Sequence, residues 1–477
     1  MSRFLVKPVA LGVSLALLLS GCAVVGPNYQ APAVATGTTW QAALPHHGSS
    51  AQLAGWWSAF DDPTVARLVQ MAEADSPSLA TAAANIAAAR AALGSARASA
   101  APSLTGSASA SRSRQRTDGV TSDTTTRSGG LDASWEIDLF GKLRRGREAA
   151  QARVVARGAD WHEARVSLAA EVADTYVQYR ACRLLARQDE SEVRSQLETV
   201  RLTQVKVRAG FSAASDGDLA EASAASANAT LIAQQTECEG LVKSLVALTG
   251  ADEPALRTLI DATPPAVPVP DAFSVDGVPA DLLRQRPDLV ASERALAAAS
   301  AEIGQAEAGR YPSFTLGGTI SVSSSGLAGQ TGTASFGPSL AIPLLDGGKA
   351  RAAVDSAQAS YDAALAGYRS AVRTAVKEVE TALVNIDGAA RRSRDARTAA
   401  ERYRRYFASV QADWRAGRSS LMTLEEARRA AISAETTLLT LQRDQVRDWV
   451  ALYKALGGGW TVDTLQATAP STPGARP

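Results

Sequence analysis

The stretch Leu131-Asp132-Ala133-Ser134-Trp135-Glu136-Ile137-Asp138-Leu139-Phe140-Gly141-Lys142 decides the fold. Its first eight residues alternate apolar and polar side chains, which is typical of a β-strand with one apolar and one acidic face. The stretch then reaches a glycine and a lysine, and no proline follows until Pro254. Because proline interrupts helices, this spacing permits a long unbroken helix. The sequence therefore predicts a strand that passes directly into a long helix.

Three further segments alternate in the same way: 104–110 (weakly), 314–322 and 336–344. Each run is about ten residues long, which is the length of a transmembrane β-strand. The connecting segments 113–127 and 323–333 are rich in Ser, Thr and Gly, and we expect them to be extracellular loops. The pattern alone also permits a second interpretation, two soluble hairpins that pack on the helices.

Four strands are too few to close a barrel across a bilayer, because the smallest bacterial barrels have about eight. An open sheet edge is also excluded from lipid, where nothing hydrogen-bonds its backbone groups. If these strands span a membrane, several chains must therefore combine them. The polar and acidic faces would then line a water-filled pore.

The chain is also an internal duplication. Pro77-Ser78-Leu79 is followed 210 residues later by Pro287-Asp288-Leu289, and Arg208-Ala209-Gly210 is followed 207 residues later by Arg415-Ala416-Gly417. Several such pairs in order at nearly one offset indicate two copies of one unit. We assign the chain as follows: a first repeat at 56–262, a proline-rich linker at 263–270, a second repeat at 271–460 and a tail at 461–477.

Each repeat predicts long helices around a two-strand hairpin. The longest helices, 142–208 and 350–415, would each extend on the order of 100 Å at 1.5 Å per residue. Apolar residues in the second repeat step by four and three, which indicates a helix-packing seam. The seam consists of Val372, Val376, Val379, Leu383 and Ile386. Its counterpart in the first repeat consists of Ala169, Val172, Tyr176 and Tyr179.

The N-terminus has the features of an export signal. Residues 1–21 combine a basic start with an apolar core that is too short to span a membrane. The segment ends in Leu19-Ser20-Gly21-Cys22, which resembles the lipobox of bacterial lipoproteins. That resemblance implies cleavage before Cys22, acylation of its thiol, and a lipid-anchored segment over 22–55. The alternative is an ordinary secretory signal with a chance cysteine. Residue 23 is Ala and not the Asp that retains such lipoproteins in the inner membrane, so the outer membrane is the favoured destination.

Composition excludes several other classes of protein. The 49 basic and 48 acidic residues leave a net charge of +1, so no basic field favours nucleic acid. Three cysteines and three histidines provide little material for a metal site. The sequence has neither a phosphate-binding loop of the required spacing nor a nucleophile elbow, and His162 has no evident triad partner. We therefore predict no enzyme activity, no cofactor and no metal, and we find no later apolar stretch long enough for a transmembrane helix.

Together, these features resemble the TolC/OprM outer-membrane factors, and in particular the NodT-type efflux lipoproteins. The resemblance rests on Gly-Pro-Asn-Tyr at 26–29, Trp-Trp-Ser-Ala-Phe-Asp-Asp-Pro at 56–63, Trp-Glu-Ile-Asp-Leu-Phe-Gly at 135–141, Leu-Arg-Gln-Arg-Pro-Asp-Leu at 283–289, Tyr-Pro-Ser at 311–313 and Leu-Asp-Gly-Gly at 345–348. It implies a mainly α fold with a β-barrel portion. A homotrimer would form a twelve-stranded transmembrane barrel that continues into a periplasmic helical tunnel.

The function that the resemblance implies is a passive exit duct in the outer membrane of a Gram-negative bacterium. Such ducts work with an inner-membrane transporter, often of the resistance-nodulation-division type, and with a periplasmic adaptor. Two alternatives stay open. One is a duct of the same fold for type I protein secretion, and the other is a periplasmic coiled-coil adaptor or scaffold.

The resemblance also assigns candidate functional residues. Turns at the periplasmic tip would dock the adaptor, and the residues concerned are Arg208, Gly210, Ser212, Arg415, Gly417 and Ser419. Met422, Glu426 and Arg429 lie on one helix face and match the aperture positions of the family. We expect Met422 to narrow the pore and the two charges to close it by pairing between subunits. The alternative is a solvated helix with ordinary charges.

Two cysteines lie symmetrically about the first tip turn. Cys182 precedes Gly210 by 28 residues, and Cys238 follows it by 28 residues. In an antiparallel helix pair folded at this turn, the two side chains would lie at the same height. The periplasm is oxidising, so the spacing predicts a disulfide. The alternative is two buried thiols on different faces.

Overall fold

The computed structural model describes residues 24–33, 40–42, 56–264, 266–269, 285–326 and 329–460. The predicted signal peptide, Cys22 and the tail 461–477 lie outside these residues, as does most of segment 22–55. The assignments made for them therefore stay predictions.

Long helices and two hairpins alternate along the described chain. After a short 3-10 turn at Trp56–Ala59, the elements are α1 (Thr64–Ala74), α2 (Pro77–Ala98), β1 (Ser103–Thr117), β2 (Val120–Ile137), α3 (Lys142–Arg208), α4 (Ala214–Thr249), α5 (Glu253–Ile260), α6 (Pro287–Ala308), β3 (Ser313–Ser325), β4 (Gly329–Ala341), α7 (Lys349–Arg415) and α8 (Leu421–Ala455). Helices α3 and α7, with 67 residues each, confirm the predicted long helices.

The residues form two compact units, and each unit contains parts of both repeats. Among the described residues, the first unit comprises 24–33, 83–159 and 290–371 with both hairpins. The second comprises 40–82, 160–289 and 372–460, again excluding the gaps in the described chain. The duplication is therefore not a division into two separately packed halves.

The first unit contains one antiparallel sheet in the order β1-β2-β3-β4. Its central pairing, β2 with β3, joins the hairpins of the two repeats, so they do not lie as separate hairpins. Leu131 pairs with Ile320, and Trp135 pairs with Leu316. Since paired residues point to the same side, the apolar rows of neighbouring strands form one continuous face. This face is solvent-exposed in the single chain, with Ile320 62% and Phe336 79% exposed.

The prediction that residues 113–127 form a loop is wrong. Both strands continue through it and meet at a two-residue turn, Asp118-Gly119, where φ is +51° and +83°. Asp-Gly with positive φ is a strong hairpin signal, and Arg114 pairs with Asp123 across the strands at 2.6 Å. Loop 323–333 is likewise shorter than predicted, because β3 continues to Ser325 and β4 begins at Gly329. Lack of apolar alternation does not end a strand whose backbone is already paired.

The helix seam is buried in the second unit, with one correction. All four first-repeat positions are buried, and so are Val372, Val379, Leu383 and Ile386. Val376 is only partly buried, while its neighbour Ala375 is fully covered. The small side chain suits a close helix contact better than the β-branched one does. Among the described residues, no helix is both long and apolar enough to cross a membrane.

The structure joins Cys182 of α3 to Cys238 of α4 by a disulfide, with a Cα–Cα separation of 5.6 Å. Both cysteines are 3% exposed and pack with Ala186. The bridge links positions 56 residues apart and spans the first tip turn. On the chain-entropy estimate, closing a loop of this length stabilises the fold by about 4 kcal/mol.

We expect the denatured, unreduced mature protein to show no reactive thiol at Cys182 or Cys238, because both sulfurs are bonded. Maleimide labelling followed by mass spectrometry measures this directly. The same protein after reduction should label at both positions. Cys182→Ser provides the matched control, since it should leave one reactive thiol at Cys238. Two labelled thiols in the unreduced wild type would contradict the bridge.

Candidate functional site

Two equivalent turns end the long helices in the second unit. After α3, the Phe211 amide donates to the Lys206 carbonyl at 2.8 Å, and the Gly210 amide donates to Val207 at 3.0 Å. After α7, Arg418 donates to Asp413 and Gly417 donates to Trp414 at the same two distances. This is the Schellman arrangement, which requires a left-handed residue. Gly210 (φ +77°) and Gly417 (φ +76°) supply it.

The surfaces of the two turns differ in chemistry. Phe211 is 85% exposed after the first turn, whereas Arg418 at the equivalent position pairs with Asp413. A Cβ at either turn glycine would meet open space, so both turns are sterically accessible. The other predicted tip residues are Arg208 and Arg415, which are exposed, and Ser212 and Ser419, which are partly buried. Phe211 was not among them, although its position beside Gly210 could have indicated it.

An apolar core holds the helices together just behind these turns. Trp414 of α7 is 4% exposed, and Leu424 of α8 is fully buried. Lys206 of α3 lies 4.4 Å from the Trp414 ring centroid and donates to the Trp414 carbonyl at 3.3 Å. The remaining members of this core are Ala220, Val410, Leu421 and Ala427. Helices from both repeats therefore pack together at this end.

Helix α8 carries the predicted aperture residues on one exposed face. Ser420 caps its start by accepting a hydrogen bond from the Thr423 amide at 3.1 Å. Met422 is 54% exposed, and Glu426 and Arg429 are exposed as well. Within the described part of a single chain, neither Glu426 nor Arg429 has an ion-pair partner. This face therefore presents an apolar side chain and two unpaired opposite charges.

A neighbouring face of the same helix buries a second pair of charges, which was not among the predicted site residues. Glu425 and Arg428 each precede an exposed charged residue by one position, and they are 3% and 1% exposed. One residue is a 100° rotation about a helix axis, so adjacent residues point in different directions. Helix geometry therefore separates the two pairs of charges, and packing against α3 and α7 buries one of them.

Arg428 connects α8 to α3 and α7. Its guanidinium donates to the Thr199 hydroxyl at 2.8 Å and lies 5.4 Å from the Phe407 ring centroid. It lies 3.5 Å from the Glu192 carboxylate and 3.6 Å from the Glu425 carboxylate. Both separations are long for hydrogen bonds, so these carboxylates act on Arg428 mainly through their charge.

Gln196 completes this buried cluster by donating to both carboxylates, at 2.9 Å to Glu192 and 2.8 Å to Glu425. Burial raises the pKa of Glu192, while the charge of Arg428 opposes the increase. Removing Arg428 would therefore leave two carboxylates close together without a compensating charge. The cluster holds α8 against α3 next to the exposed face that carries Met422, Glu426 and Arg429.

The structure places His162, the histidine considered above, among aromatic side chains. His162 packs between Trp161 and Trp460, with ring centroids at 5.0 and 5.3 Å. Burial, followed by the nearby charge of Arg165, lowers the pKa of His162 to about 4, so its ring is neutral at pH 7. No group of His, Cys, Asp and Glu in the described chain is arranged to hold a metal ion.

Comparison with known proteins agrees with this architecture. The family described as Outer membrane efflux protein matches residues 68–251 and 278–458, one match in each repeat. Nodulation protein T of Rhizobium leguminosarum bv. trifolii is 33% identical over 93% of this chain and 96% of its own length. The solvent efflux pump outer membrane protein SrpC of Pseudomonas putida is 31% identical over 94% of this chain and 97% of its own length.

The structure of the outer-membrane channel OprN superposes with a TM-score of 0.79 and 31% identity, over 91% of this chain and 99% of that one. Fold and sequence thus define a transport protein of the Gram-negative outer membrane, not an enzyme. The chain belongs to the outer membrane efflux protein family and is the outer-membrane channel of an efflux pump, so it works with pump partners.

We expect Arg428→Ala to destabilise the mature protein by about 3–5 kcal/mol, the usual effect of removing one partner from a buried ion pair. The thermal midpoint, followed by circular dichroism in detergent, should fall markedly. The neighbouring exposed substitution Arg429→Ala is the matched control and should change stability by less than about 0.5 kcal/mol. Equal midpoints for the two variants would contradict the role assigned to the buried cluster.

Proposed function

We propose that the channel is a homotrimer in which three sheets close one transmembrane barrel and the helices continue it as a periplasmic tunnel. The observation that carries this proposal is the sheet itself. Strands β1 and β4 are open edges, and the apolar face is exposed. In lipid, edge backbone groups must be hydrogen-bonded. Pairing β4 of one protomer with β1 of the next satisfies them, and three four-stranded sheets give twelve strands.

The polar face of the sheet suits the interior of such a barrel. Asp132 pairs with Thr105 on one side and with Thr319 on the other, and Glu136 pairs with Thr315. These side chains point away from the apolar face because neighbouring residues of a strand alternate. They give the pore a hydrated and partly acidic wall, which a conduit for solutes requires.

The proposed anchor is a lipid on Cys22. The lipobox sequence supports it, and the described segment that begins at Val24 is packed in the first unit. The Arg145 guanidinium binds the carbonyls of Val25 and Gly26 at 3.2 and 3.1 Å. An acylated Cys22 would therefore be attached to an ordered part of the protein only two residues away.

The proposed partners are a periplasmic adaptor and an inner-membrane transporter of the resistance-nodulation-division type. The two tip turns support adaptor docking, because both are exposed and backbone-ordered. Phe211 offers an apolar anchor at one turn, and Arg418 offers a polar surface at the other. Relatives act in solvent and antibiotic efflux pumps. In this proposal the transporter and adaptor select the substrate, and the channel conducts it.

The proposed gate is the exposed face of α8. Threefold symmetry would repeat Met422, Glu426 and Arg429 around the channel axis. Met422 would narrow the opening, and Glu426 of one protomer would pair with Arg429 of the next. The support is that both charges lack ion-pair partners within the described single chain, while the buried cluster behind them holds the helix in position.

We expect Glu426→Ala combined with Arg429→Ala to raise single-channel conductance in planar bilayers, because the variant cannot form the inter-subunit pairs that narrow the aperture. Glu198→Ala combined with Arg201→Ala is the matched control. It removes an exposed pair with the same i,i+3 spacing from α3, at 2.7 Å in the wild type. The control should leave conductance unchanged. Unchanged conductance in the α8 variant would reject the gate assignment.

We expect deletion of the gene to slow fluorescent-dye efflux, and we expect wild type but not Gly417→Trp to restore it. The bulky side chain would obstruct adaptor docking at the second turn. Gly119→Trp is the control, because Gly119 also has positive φ (+83°) and open space around its Cβ but lies in the β1–β2 turn. It imposes similar backbone strain at a different site, and it should restore efflux.

Both glycine variants must reach the outer membrane in equal amounts, as measured by immunoblotting of membrane fractions. If Gly417→Trp restores efflux as well as wild type, the docking role is wrong. If deletion leaves dye efflux unchanged, the pump partners proposed here are wrong. Proteins missing from the culture medium of the deletion strain would then favour type I secretion.

A further inference from the structure

The first unit contains a cavity of about 520 Å³ beside the N-terminal segment 24–33. Helices α2, α3 and α6 form its walls, and Pro27 and Tyr29 close one side. Arginine dominates the charged lining, which consists of Arg97, Arg145, Arg147, Arg294 and Glu148. The assigned roles of the channel, gate and tip turns do not use this cavity.

Two of the arginines are neutralised within the protein. Arg145 is 5% exposed on its side chain and binds Glu148 at 2.8 Å, and Arg294 binds Glu293 at 2.7 Å. Burial opposes ionisation of Glu148, but hydrogen bonds from Arg145 and Arg144 hold its pKa below the usual value. Glu148 therefore stays charged and paired. These groups build the wall of the cavity and leave it no surplus charge.

Arg97 and Arg147 supply the surplus. Both are exposed, and neither has a carboxylate partner among the described residues. Within the described chain, the Arg97 guanidinium donates to the neutral Gln151 side chain at 3.5 Å. Two guanidinium groups that line one cavity without compensation favour an anion with several acceptor oxygens. A phosphate group meets this requirement.

Both arginines also lie where the helices meet the strands. Arg97 is in the last turn of α2, six residues before β1 begins at Ser103. Arg147 is five residues into α3, a rise of about 8 Å, and α3 follows β2 after four residues. The apolar face of the sheet ends on β2 at Ile137. If the sheet spans the bilayer, the cavity opens close to the head groups of the leaflet on the helical side.

We propose that this cavity binds the phosphodiester of an anionic phospholipid head group, with Arg97 and Arg147 as its donors. Free phosphate shares the recognised chemistry, but the position beside the strand ends favours the membrane lipid. The inference rests on the proposed function, because it requires the sheet to span the membrane. A lipid bound here would hold segment 24–33, which follows the proposed Cys22 anchor, at the membrane surface.

The test compares the mature trimer, purified free of bound phospholipid, with its Arg97→Gln/Arg147→Gln variant in neutral detergent. Both are titrated with dioctanoyl phosphatidylglycerol, and bound lipid is measured by native mass spectrometry. Glutamine keeps a hydrogen-bond donor but removes the charge. We expect about a hundredfold weaker binding, about tenfold for each guanidinium group removed. The control Arg402→Gln/Arg405→Gln changes two exposed arginines of α7, outside this cavity, and should bind as wild type does.

Two further probes separate the sources of phosphate. Dioctanoylglycerol lacks phosphate and should not bind at this site, and sn-glycerol 3-phosphate lacks acyl chains and should bind weakly. Glycerol phosphate that binds as tightly as the lipid would overturn the lipid assignment in favour of a free phosphate. Equal lipid affinity for wild type and the Arg97→Gln/Arg147→Gln variant would overturn the site.

Failure of this inference is distinguishable from failure of the proposed function. Dye efflux in cells and the trimeric state in detergent test the latter without reference to lipid. A trimer that restores efflux but binds phosphatidylglycerol independently of Arg97 and Arg147 would reject only the lipid site. A protein that is not trimeric or does not restore efflux would reject the proposed function.

Discussion

Backbone hydrogen bonding at the sheet edges is the constraint on which the rest of the architecture depends. A four-stranded sheet with an exposed apolar face has two edges that lipid cannot satisfy. The pairing of β2 with β3 removes the inner edges by joining the hairpins of the two repeats. The outer edges remain, and the need to pair them requires several chains to combine their sheets, as they would in the proposed trimer. The β2–β3 pairing within each chain thus supplies half of the contacts between hairpins that the proposed barrel needs. Pairing between chains would supply the other half.

The duplicated tip turns show how one backbone design can carry two surfaces. Gly210 and Gly417 adopt nearly the same φ and end 67-residue helices through the same hydrogen bonds. The residues that follow them differ, because Phe211 is exposed while Arg418 pairs with Asp413. The backbone arrangement is fixed by glycine geometry, which leaves the next side chain free to diverge. A partner that contacts both turns would therefore meet an apolar contact and a polar one.

Helix α8 likewise carries two pairs of charges, one of which is buried and holds the helix while the other is exposed. Glu426 and Arg429 are exposed, whereas Glu425 and Arg428 are buried against α3. A buried ionic cluster contributes less to stability than its charges suggest, since desolvation offsets much of their attraction. It does penalise any displacement that would separate Arg428 from its carboxylates. The cluster is thus suited to keep the exposed face in a defined orientation.

The sequence by itself determined the long helices, the tip turns and the two faces of the strands, because proline spacing, glycine at helix ends and residue alternation act locally. Only the tertiary structure decided the β2–β3 pairing, the extended hairpin with its turn at Asp118-Gly119, and the arginines that line the cavity in the first unit. It also decided that Arg428 is buried while Arg429 is exposed. Two adjacent arginines are chemically the same in sequence, and only the neighbouring helix distinguishes the one it covers.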